Sequence, residues 1–436
     1  MSVLFFDYWT TGIHNFISLH ERLKQLKVKA QLLHLGSWRD STVSVKEELH
    51  GILCEDISLY ENNILKALKV LKPQVVVMLN TTLIMDRTMN RLCRMLGIRT
   101  IYLMHGIKAI GSDLDEFVLH QNAYWTWTKR LGKVSKYAGL SFRYFSAVAK
   151  NNPFEILDPR TYGFFIQMAF WPGSAHERPW PHKDIYCDRA LVYANVYRDL
   201  MLKETGYPKD RVVVVGNPNL DAAYGLLRDP EAKLRARKRI ELLGVKSERQ
   251  AIVYMEDAFP EQGMGGWTDQ TRIDELKTIS ATVEAAGFDF IIKMHPGSHS
   301  EGVIKAFSNS EHTHVVLKTD LAELILGCVA TLGHISTTLM LPIILECPLI
   351  VPTWSPGLER YGYYVTAGAA TPAESPEALA DLLKKVNNGL LLKDERLINF
   401  VQEFITYTDG HSQDRIVSEI VSCMKDKSLI PQKVAA

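Results

Sequence analysis

The fold of this chain is decided between Ala251 and Met294, where the apolar run AIVYM (251–255) is followed by a segment of helical periodicity and then by FDFIIKM (288–294). Runs of β-branched and other aliphatic residues without polar alternation predict strands that are buried on both faces. Consecutive parallel strands need crossover helices, so the order strand, helix, strand predicts a parallel sheet. This stretch therefore indicates an α/β domain of the doubly wound type.

The same alternation extends over the whole chain of 436 residues. A charged, helix-like stretch at 229–249 interrupts it shortly after residues 216–218, GNP. We therefore predict one doubly wound domain over 1–218, a second over 219–408, and a C-terminal helix with a polar tail over 409–436. The runs that predict the other strands are SVLFF (2–6), VKAQLLHL (28–35), QVVVML (74–79), IRTIYLM (98–104), ALVYA (190–194), VVVV (212–215), HVVLK (314–318), CVATL (328–332) and PLIVP (348–352).

Composition and charge exclude several classes of protein. With 47% hydrophobic and 23% charged residues, the chain has the composition of a globular protein, not of a disordered or fibrous one. Its 50 Lys and Arg residues balance 49 Asp and Glu residues, so the net charge is +1 and no overall positive field would attract nucleic acid. We therefore expect no nucleic-acid partner, and an anionic ligand would need a local site.

Three features predict a cytoplasmic protein. Six cysteines are scattered without a C-x-x-C pair, which is typical of buried, reduced thiols. The N-terminus, MSVLFFDYW, lacks the basic region and cleavage site of a signal peptide. The uncharged stretch 325–345 is long enough to span a bilayer, but Gly333, His334 and Pro342 divide it. That stretch therefore predicts a strand, a loop and a buried helix.

The segment from 117 to 155 has the most uneven balance of acidic and basic residues in the sequence. No acidic residue occurs between Glu116 and Glu155, while Lys and Arg alternate with Tyr, Trp and Phe. One interpretation is that basic, aromatic helices between Tyr124 and Lys150 lie on an anionic membrane surface or bind an anionic glycan or lipid-linked acceptor. The protein would then be peripheral on the inner face of the cytoplasmic membrane. The other interpretation is a helical insertion that packs on the first domain.

Polar residues follow the predicted strands at their carboxyl ends, which is where open α/β sheets bind ligands. Such residues occur after strands of both predicted domains, so we expect them to face one cleft. In chain order they are His105 after IRTIYLM, Gly216 and Asn217 after VVVV, Glu256 and Asp257 after AIVYM, Lys293, His295 and Pro296 at the end of FDFIIKM, and Gly333, His334, Ser336, Thr337 and Thr338 after CVATL.

These residue types suit the handling of an activated phosphate. A Ser-Thr-Thr run at a helix start offers backbone N–H groups and hydroxyls to a phosphate. A His-Pro pair fixed after a strand would hold an imidazole against the leaving phosphate. Asp257 could deprotonate an acceptor hydroxyl or attack an anomeric carbon. Each also has an ordinary structural interpretation, such as a helix N-cap for Ser336 or a turn cap for Asp257.

The chain lacks the sequence motifs of several other classes of nucleotide-dependent enzyme. The chain has no Walker A motif and no G-x-G-x-x-G after its first strand, which argues against an ATPase or a dinucleotide enzyme. No D-x-D cluster occurs in a strand context. We therefore predict no metal and no cofactor, with protein groups offsetting the charge of the donor phosphate.

The motifs resemble those of GT-B glycosyltransferases, and the resemblance covers most of residues 98–352. It implies two facing Rossmann-like domains with a central interdomain cleft, the first domain on the acceptor side and the second binding the nucleotide donor. Within that group the chain is similar to CDP-glycerol glycerophosphotransferases of capsule and teichoic-acid synthesis, and to bacterial sialyl- and Kdo-transferases that use CMP-activated sugars.

The resemblance also implies roles for the motifs. It departs from the family patterns in two places. Ala258 follows the paired acids where the sialyltransferase motif has a Gly, and Pro342 occupies the position of the acidic residue usually found on the helix after the Ser/Thr motif, which counts against the epimerase. The implied roles are a base for His105 of the His105-Gly106 motif, the end of the first domain for Gly216-Asn217-Pro218, which several GT-B enzymes and UDP-GlcNAc 2-epimerase share, donor-phosphate contacts for Lys293-x-His295-Pro296 and Ser336-Thr337-Thr338, and a catalytic acid residue from Glu256-Asp257.

The leading hypothesis is a glycosyltransferase of bacterial capsule or lipopolysaccharide synthesis. It would transfer a CMP-activated ulosonic acid, such as Kdo or a sialic acid, to a glycan or lipid-linked acceptor, with Asp257 as base or nucleophile and His105 on the acceptor side. One alternative is the transfer of a polyol phosphate from a CDP-polyol, with His105 as the base. Two others are a nucleotide-sugar 2-epimerase and a GT-B scaffold without activity.

Overall fold

The computed structural model describes residues 1–38, 40–106, 115, 118–119, 122, 126–262, 266–355, 363–387 and 395–426. The pattern of contacts divides the chain into two units. The first is Met1–Asn217 together with His411–Ala436, and the second is Pro218–Gly410. The division follows Asn217, next to the boundary predicted at 218, and the C-terminal segment groups with the first unit.

A mostly parallel sheet forms the centre of the first unit. Its strands are β1 (Ser2–Asp7), β2 (Lys29–His34), β3 (Lys46–Leu49), β4 (Ile52–Asp56), β5 (Val75–Met78), β6 (Arg99–Leu103), β7 (Arg189–Val192) and β8 (Val212–Val214). Within the described residues their order is β3-β4-β2-β1-β5-β6-β7-β8, and β3 pairs antiparallel with β4. The chain builds outward from β1 on one side and then from β5 on the other. The point where the strand order reverses therefore lies between β1 and β5.

Helices cover both faces of this sheet. Alternate residues of β1 point to opposite faces: Val3 and Phe5 pack in one apolar cluster, and Leu4 and Phe6 pack in the other. The helices of this unit are α1 (Ile17–Gln25), α2 (Ile64–Leu71), α3 (Ile84–Leu96), α4 (Trp127–Asn151), α5 (Pro159–Phe170), α6 (Pro172–Glu177), α7 (Asn195–Thr205) and, after the second unit, α18 (Ser412–Lys425).

The second unit is also built on a parallel sheet. Its strands are β9 (Ala251–Met255), β10 (Asp289–Lys293), β11 (Thr313–Val316), β12 (Ala330–Gly333), β13 (Leu349–Pro352) and β14 (Thr371–Ala373). Their order in the described chain is β11-β10-β9-β12-β13-β14, with every neighbouring pair parallel. The order reverses between β9 and β12, so these two strands open the crevice in which ligands bind in sheets of this type.

Helices connect the strands of the second unit. The apolar residues of β9 and β10 are fully buried between them, as the uninterrupted aliphatic runs predicted. These helices are α8 (Asp221–Arg228), α9 (Ala232–Leu242), α10 (Phe259–Gln262), α11 (Asp269–Ala285), α12 (Glu301–Phe307), α13 (Leu321–Gly327), α14 (Met340–Ile344), α15 (Tyr363–Thr366), α16 (Pro376–Asn387) and α17 (Glu395–Phe404).

The predicted α/β class with two doubly wound sheets is confirmed. The uncharged stretch 325–345 contains the end of α13, then β12 and α14, as its Gly and Pro residues predicted. In the part of the chain that the structure describes, no helix combines the length and the hydropathy needed to cross a bilayer. All six cysteines are buried and have free thiols.

Helix α4 accounts for most of the basic, aromatic segment near 117–155. It packs against α3, with Leu140, Tyr144 and Val148 in the core of the first unit. Its surface residues Trp127 and Phe142 are exposed. The part of the segment within α4 is therefore a helix that packs on the first unit, and it also presents aromatic side chains to solvent. Tyr124 and Trp125 lie outside the described residues.

Candidate active site at the switch point of the second unit

Three predicted site motifs meet at the carboxyl edge of the second sheet. Asp257 follows β9, His295 follows β10, and the turn of Ser336, Thr337 and Thr338 follows β12. Strands β10, β9 and β12 are neighbours in that order, so the three strand ends lie side by side. Because the strand order reverses between β9 and β12, Asp257 and the Ser336–Thr338 turn flank the crevice itself.

Asp257 lies against the Ser336–Thr338 turn. Its Oδ2 accepts a hydrogen bond from the backbone N–H of Ile335 at 3.4 Å, and only 8% of the residue is exposed. Burial raises the pKa of this carboxyl to about 7, although the N–H groups of Ile335 and His334 and the Ser336 hydroxyl favour its charged form. An acid with this pKa exchanges its proton near neutral pH, which suits general acid–base chemistry.

Glu256, the other predicted acid, supports the loop that carries His295. Its Oε2 accepts hydrogen bonds from the His295 backbone N–H at 2.9 Å and from the Ser298 hydroxyl at 2.7 Å. Its Oε1 lies 3.1 Å from a guanidinium nitrogen of Arg272. Burial raises the pKa of Glu256 against the effect of these contacts. Since both oxygens are engaged within the protein, the geometry supports a positioning role in place of the predicted catalytic one.

His295 is held in one tautomer. Its Nδ1 accepts a hydrogen bond from the Gly297 backbone N–H at 3.0 Å, so a neutral ring carries its proton on Nε2. Burial lowers the pKa of His295, and the neighbouring Lys293 cation lowers it further. The half-buried imidazole is therefore neutral at pH 7 and offers one N–H donor. The exposed Pro296 follows it in the turn.

Lys293 is largely buried, and its ammonium group binds backbone carbonyls where a direct phosphate contact was predicted. The residue is 7% exposed, and its ammonium group donates to the carbonyl of Met294 at 2.6 Å and to that of Leu317 at 3.1 Å. Burial lowers the pKa of Lys293, and the charge of Glu256 opposes this. An ammonium group has three donors, and these carbonyls take two of them. Its geometry thus ties β10 to β11 and places a positive charge below the His295 loop.

The Ser336–Thr338 turn is held in a defined shape. The Ser336 and Thr338 hydroxyls lie 2.9 Å apart, and the Ser336 carbonyl accepts a hydrogen bond from the buried Tyr364 hydroxyl at 3.0 Å. Thr337 is exposed at the top of the turn. The hydroxyls and backbone N–H groups of this turn are donors of the kind that binds a phosphate oxygen.

His334 lies beneath this turn and not within the crevice. It is 2% exposed, its Nδ1 lies 3.0 Å from the Tyr254 hydroxyl, and its Nε2 lies 3.0 Å from the Ser355 hydroxyl, which in turn donates to Glu275. Burial lowers the pKa of His334 to about 3, so the ring is neutral. These contacts support a structural role in place of the predicted phosphate contact.

Gly333 is required by the close approach of Leu339. A Cβ at this position would lie 2.7 Å from Leu339 Cδ2 and 3.4 Å from the Met255 carbonyl oxygen. Because Leu339 is fully buried, it could not move without shifting the Ser336–Thr338 turn. We expect Gly333→Ala to lower the free energy of unfolding by about 1–3 kcal/mol. Thermal unfolding would measure this effect.

Gly302→Ala, in α12, is a matched control for this substitution. Its Cβ would meet Ile273 Cδ1 at 3.4 Å, an ordinary contact, and Ala favours a helix over Gly. We expect a change in stability within about 0.5 kcal/mol. Equal effects of the two substitutions would contradict the steric argument for Gly333.

The remaining predicted site residues lie in the first unit. His105 is exposed two residues beyond the end of β6, and the Lys108 and Gly111 positions of its motif lie outside the described residues. Gly216 follows β8 with a φ of 87°, a backbone conformation that favours glycine. Asn217 is the last residue of the first unit before the division of the chain.

Sequence reasoning missed two buried acids at the switch point of the first unit. Asp7 ends β1 and accepts a hydrogen bond from the Tyr8 N–H at 2.7 Å, and burial raises its pKa to about 6. Asp86, in the first turn of α3, accepts from the Leu83 N–H at 3.1 Å, and its pKa is raised well above its usual value by burial, with the charge of Asp7 adding to this. The acid directly after the run SVLFF was the signal that could have identified Asp7.

It also missed Arg272 and the acids around it. Glu261, Asp269 and His299 could bring three ligand atoms within 4.8 Å of one another. However, Arg272 forms ion pairs with both Glu261, at 3.0 Å, and Asp269. Arg272 already supplies the positive charge at this cluster, so we propose no metal ion there. That the protein needs no metal stays a prediction.

Comparisons with known proteins bear on the fold. No protein-family model matches the chain, and no curated protein matches it in sequence. A variant of the wall teichoic acid polymerase TagF is similar in structure, with a TM-score of 0.55 and 14% identity over 98% of this chain and 89% of that chain. UDP-GlcNAc 2-epimerase from Neisseria meningitidis, bound to UDP-GlcNAc, has a TM-score of 0.54 and 12% identity over 97% of this chain and 100% of that chain.

The similarity extends to UDP-GlcNAc 2-epimerase from Methanocaldococcus jannaschii, with a TM-score of 0.53 and 13% identity over 97% of this chain and 100% of that chain. At such identities the likeness concerns the fold alone. The chain has the GT-B fold, as its motifs predicted.

Proposed function

We propose that the protein is a GT-B transferase that takes a group from a nucleotide-activated donor and works in the synthesis of a bacterial surface polysaccharide. The observation that carries this proposal is the meeting of Asp257, His295 and the Ser336–Thr338 turn on three neighbouring strand ends at the switch point of the second unit. The similarity of the fold to TagF, described as a wall teichoic acid polymerase, supports the same class of process.

The donor phosphate is proposed to bind against the Ser336–Thr338 turn and His295. The turn offers the hydroxyls of Ser336 and Thr337, and His295 offers its Nε2–H. Because the His295 ring is neutral and fixed in orientation, it can donate this hydrogen bond at pH 7 without first being protonated. The hydrogen bond stabilises the negative charge that develops on the leaving phosphate. Lys293, beneath the loop, adds an electrostatic contribution, and Asp257 handles the proton that moves in the reaction.

A cytidine nucleotide is the proposed donor, in one of two forms. The His295-Pro296 and Glu256-Asp257 motifs favour a CMP-activated ulosonic acid such as Kdo or a sialic acid. The fold of TagF, whose structures include crystals soaked with CDPG, favours a CDP-polyol, with His105 as the base. The 2-epimerases share the fold, but α14, directly after the turn, is the apolar sequence MLPII and offers no carboxylate to a donor ribose.

The test is nucleotide release from intact donors by the purified protein. The panel is CMP-Kdo, CMP-sialic acid, CDP-glycerol and UDP-GlcNAc, with crude lipid or polysaccharide acceptor added. CMP from only the CMP-sugars supports ulosonic-acid transfer, and CMP from only CDP-glycerol supports polyol-phosphate transfer. Conversion of UDP-GlcNAc to its epimer would favour the epimerase. Failure of every donor to bind or react would overturn the transferase and favour a scaffold.

A lipid-linked acceptor is proposed to be reached at an anionic membrane surface. Four exposed aromatic side chains lie in a row on the surface. The distances between neighbouring ring centroids are 6.0 Å from Trp127 to Phe170, 5.7 Å from Phe170 to Trp171 and 6.5 Å from Trp171 to Trp180. Arg130 stacks on Trp127 at 5.1 Å. Aromatic rings beside cations are the side chains that insert at a lipid headgroup surface.

Removing aromatic side chains from this surface should weaken membrane binding. We expect Trp127→Ser with Trp171→Ser to lower binding to vesicles containing anionic lipid at least tenfold, because each buried aromatic contributes about 1.5–3 kcal/mol. Co-flotation at low salt would measure it. Leu242→Ser is the control, since Leu242 is 89% exposed but lies in the second unit. Equal binding by the double variant and the control would contradict the proposal.

A further inference from the structure

The turn that is proposed to hold the donor phosphate is already in contact with an internal anion. The Asp257 carboxyl accepts from the Ile335 N–H at 3.4 Å, and the His334 N–H and Ser336 hydroxyl also favour its charged form. The Ser336 hydroxyl is also one of the donors proposed for the phosphate, and the backbone N–H groups of His334 and Ile335 directly precede it at the same strand end. A carboxylate and a phosphate cannot both take them, and two negative charges in a buried crevice repel each other.

We propose that Asp257 takes up a proton when the donor phosphate replaces its carboxylate on the Ser336–Thr338 turn. This inference rests on the proposed function, because it assumes that a nucleotide donor binds there. The uptake is easy near neutral pH, since burial has already raised the pKa of Asp257 to about 7. The neutral carboxyl then changes from an acceptor into a donor and can hydrogen-bond a phosphate oxygen.

The surrounding charges leave Asp257 as the group that changes its protonation. Glu256 is paired with Arg272, and His295 is neutral at pH 7 because burial and Lys293 lower its pKa. His334 is also neutral, since burial lowers its pKa to about 3. The titratable and charged groups near the crevice are Tyr254 and Glu256 from β9 and its end, Lys293 and His295 from β10 and its end, Arg272 and Glu275 from α11, Glu261 from α10, and His334 from the turn after β12.

The inference assigns a direction to the proton in the transfer step. The oxygen of the acceptor hydroxyl, which loses its proton to water or to a base other than Asp257, forms a bond to the transferred group. The bond between that group and the phosphate oxygen breaks, and the electron pair of the broken bond stays on the phosphate oxygen. The Asp257 proton moves to it, which leaves Asp257 as a carboxylate. Asp257 then competes again for the N–H groups of the turn and favours release of the nucleotide. A protonated Asp257 cannot accept the acceptor's proton, so the base is a different group.

Calorimetry of donor binding tests this directly. CDP-glycerol, CMP-sialic acid and UDP-GlcNAc are suitable probes, because their phosphates do not titrate between pH 7 and 9. The heat of binding is measured at pH 8 in HEPES and in Tris, whose ionisation enthalpies differ, and the difference gives the protons taken up. We expect close to one proton per donor bound by the wild type and none by Asp257→Asn. The Kd of the wild type should rise up to tenfold per pH unit above pH 7, while that of Asp257→Asn stays constant.

Glu275→Gln is the matched control, because Glu275 is a second buried acid of this unit with a raised pKa and does not contact the turn. It should retain the proton uptake of the wild type. Binding without proton uptake by the wild type, or equal uptake by Asp257→Asn, would overturn the inference and leave the transferase standing. If no probe binds to the wild type, the proposed function falls, and the inference falls with it.

Discussion

Replacement of Asp257 by Asn is expected to lower the rate of group transfer by about 10²–10⁴-fold at pH 7, with donor affinity unchanged within a few-fold. Asn has the same shape and can still accept from the Ile335 N–H, so the turn should keep its structure. It cannot release a proton to the leaving phosphate. Steady-state kinetics with the donor that reacts in the panel would therefore show the loss in kcat and not in KM.

A second buried aspartate provides the control for this prediction. Asp289 is fully buried at the start of β10, at the amino ends of the strands and away from the crevice. Arg249 and His312 pair with it there. Asp289→Asn should reduce stability because it leaves Arg249 without its partner, while kcat of the folded protein stays near that of the wild type. Comparable kcat values for the two variants would remove Asp257 from the chemistry.

Most central strands of both sheets were predictable because they are buried on both faces. Such strands need an uninterrupted aliphatic run, and the run AIVYM became β9 just as FDFIIKM became β10. The interior strand β4 was not predicted, since its sequence ILCED ends in two acids, and the edge strands β3 and β14 were not predicted because their sequences, KEEL and TPA, contain no such run. An edge strand is half exposed and is often polar, so its pattern resembles that of a loop.

The candidate site was predictable to the extent that its residues follow strands in sequence. The rule that ligands bind at carboxyl strand ends found Asp257, His295 and the Ser336–Thr338 turn. It did not separate groups that face the crevice from groups that support it. Glu256 and His334 also follow strands, but their roles depend on partners distant in sequence, Arg272 for the first and Ser355 for the second.

Sequence motifs were also an incomplete guide to the switch point of the first unit. His105 stood out because His-Gly is a recognisable motif, whereas Asp7 and Asp86 belong to no motif. Their significance comes from the strand order, which places β1 next to β5 and brings the two carboxyl groups near enough for the charge of Asp7 to affect Asp86. Strand order is a property of the folded sheet and could not be derived from the aliphatic runs alone.

Arg272 is expected to contribute more to the stability of the second unit than any surface ion pair. Its side chain is 2% exposed, contacts Glu256, Glu261 and Asp269, and donates to the His299 carbonyl at 2.9 Å. Arg272→Met would keep much of the packing but leave the buried Glu256 without its cation. We expect a loss of about 3–5 kcal/mol, or about 6–20 °C in the Tm of this unit by calorimetry.

The pH dependence of this loss separates an electrostatic cause from a packing defect. Without Arg272, the pKa of the buried Glu256 should rise further, and a carboxyl whose folded pKa exceeds its unfolded value destabilises the protein as the pH rises. The difference between wild type and Arg272→Met should therefore grow from pH 5 to pH 8. Asp269→Asn removes the 61%-exposed partner and should cost less than about 1 kcal/mol at either pH. A loss in Arg272→Met that is constant with pH would assign its effect to packing, and the His295 loop would then be held by something other than the Glu256–Arg272 pair.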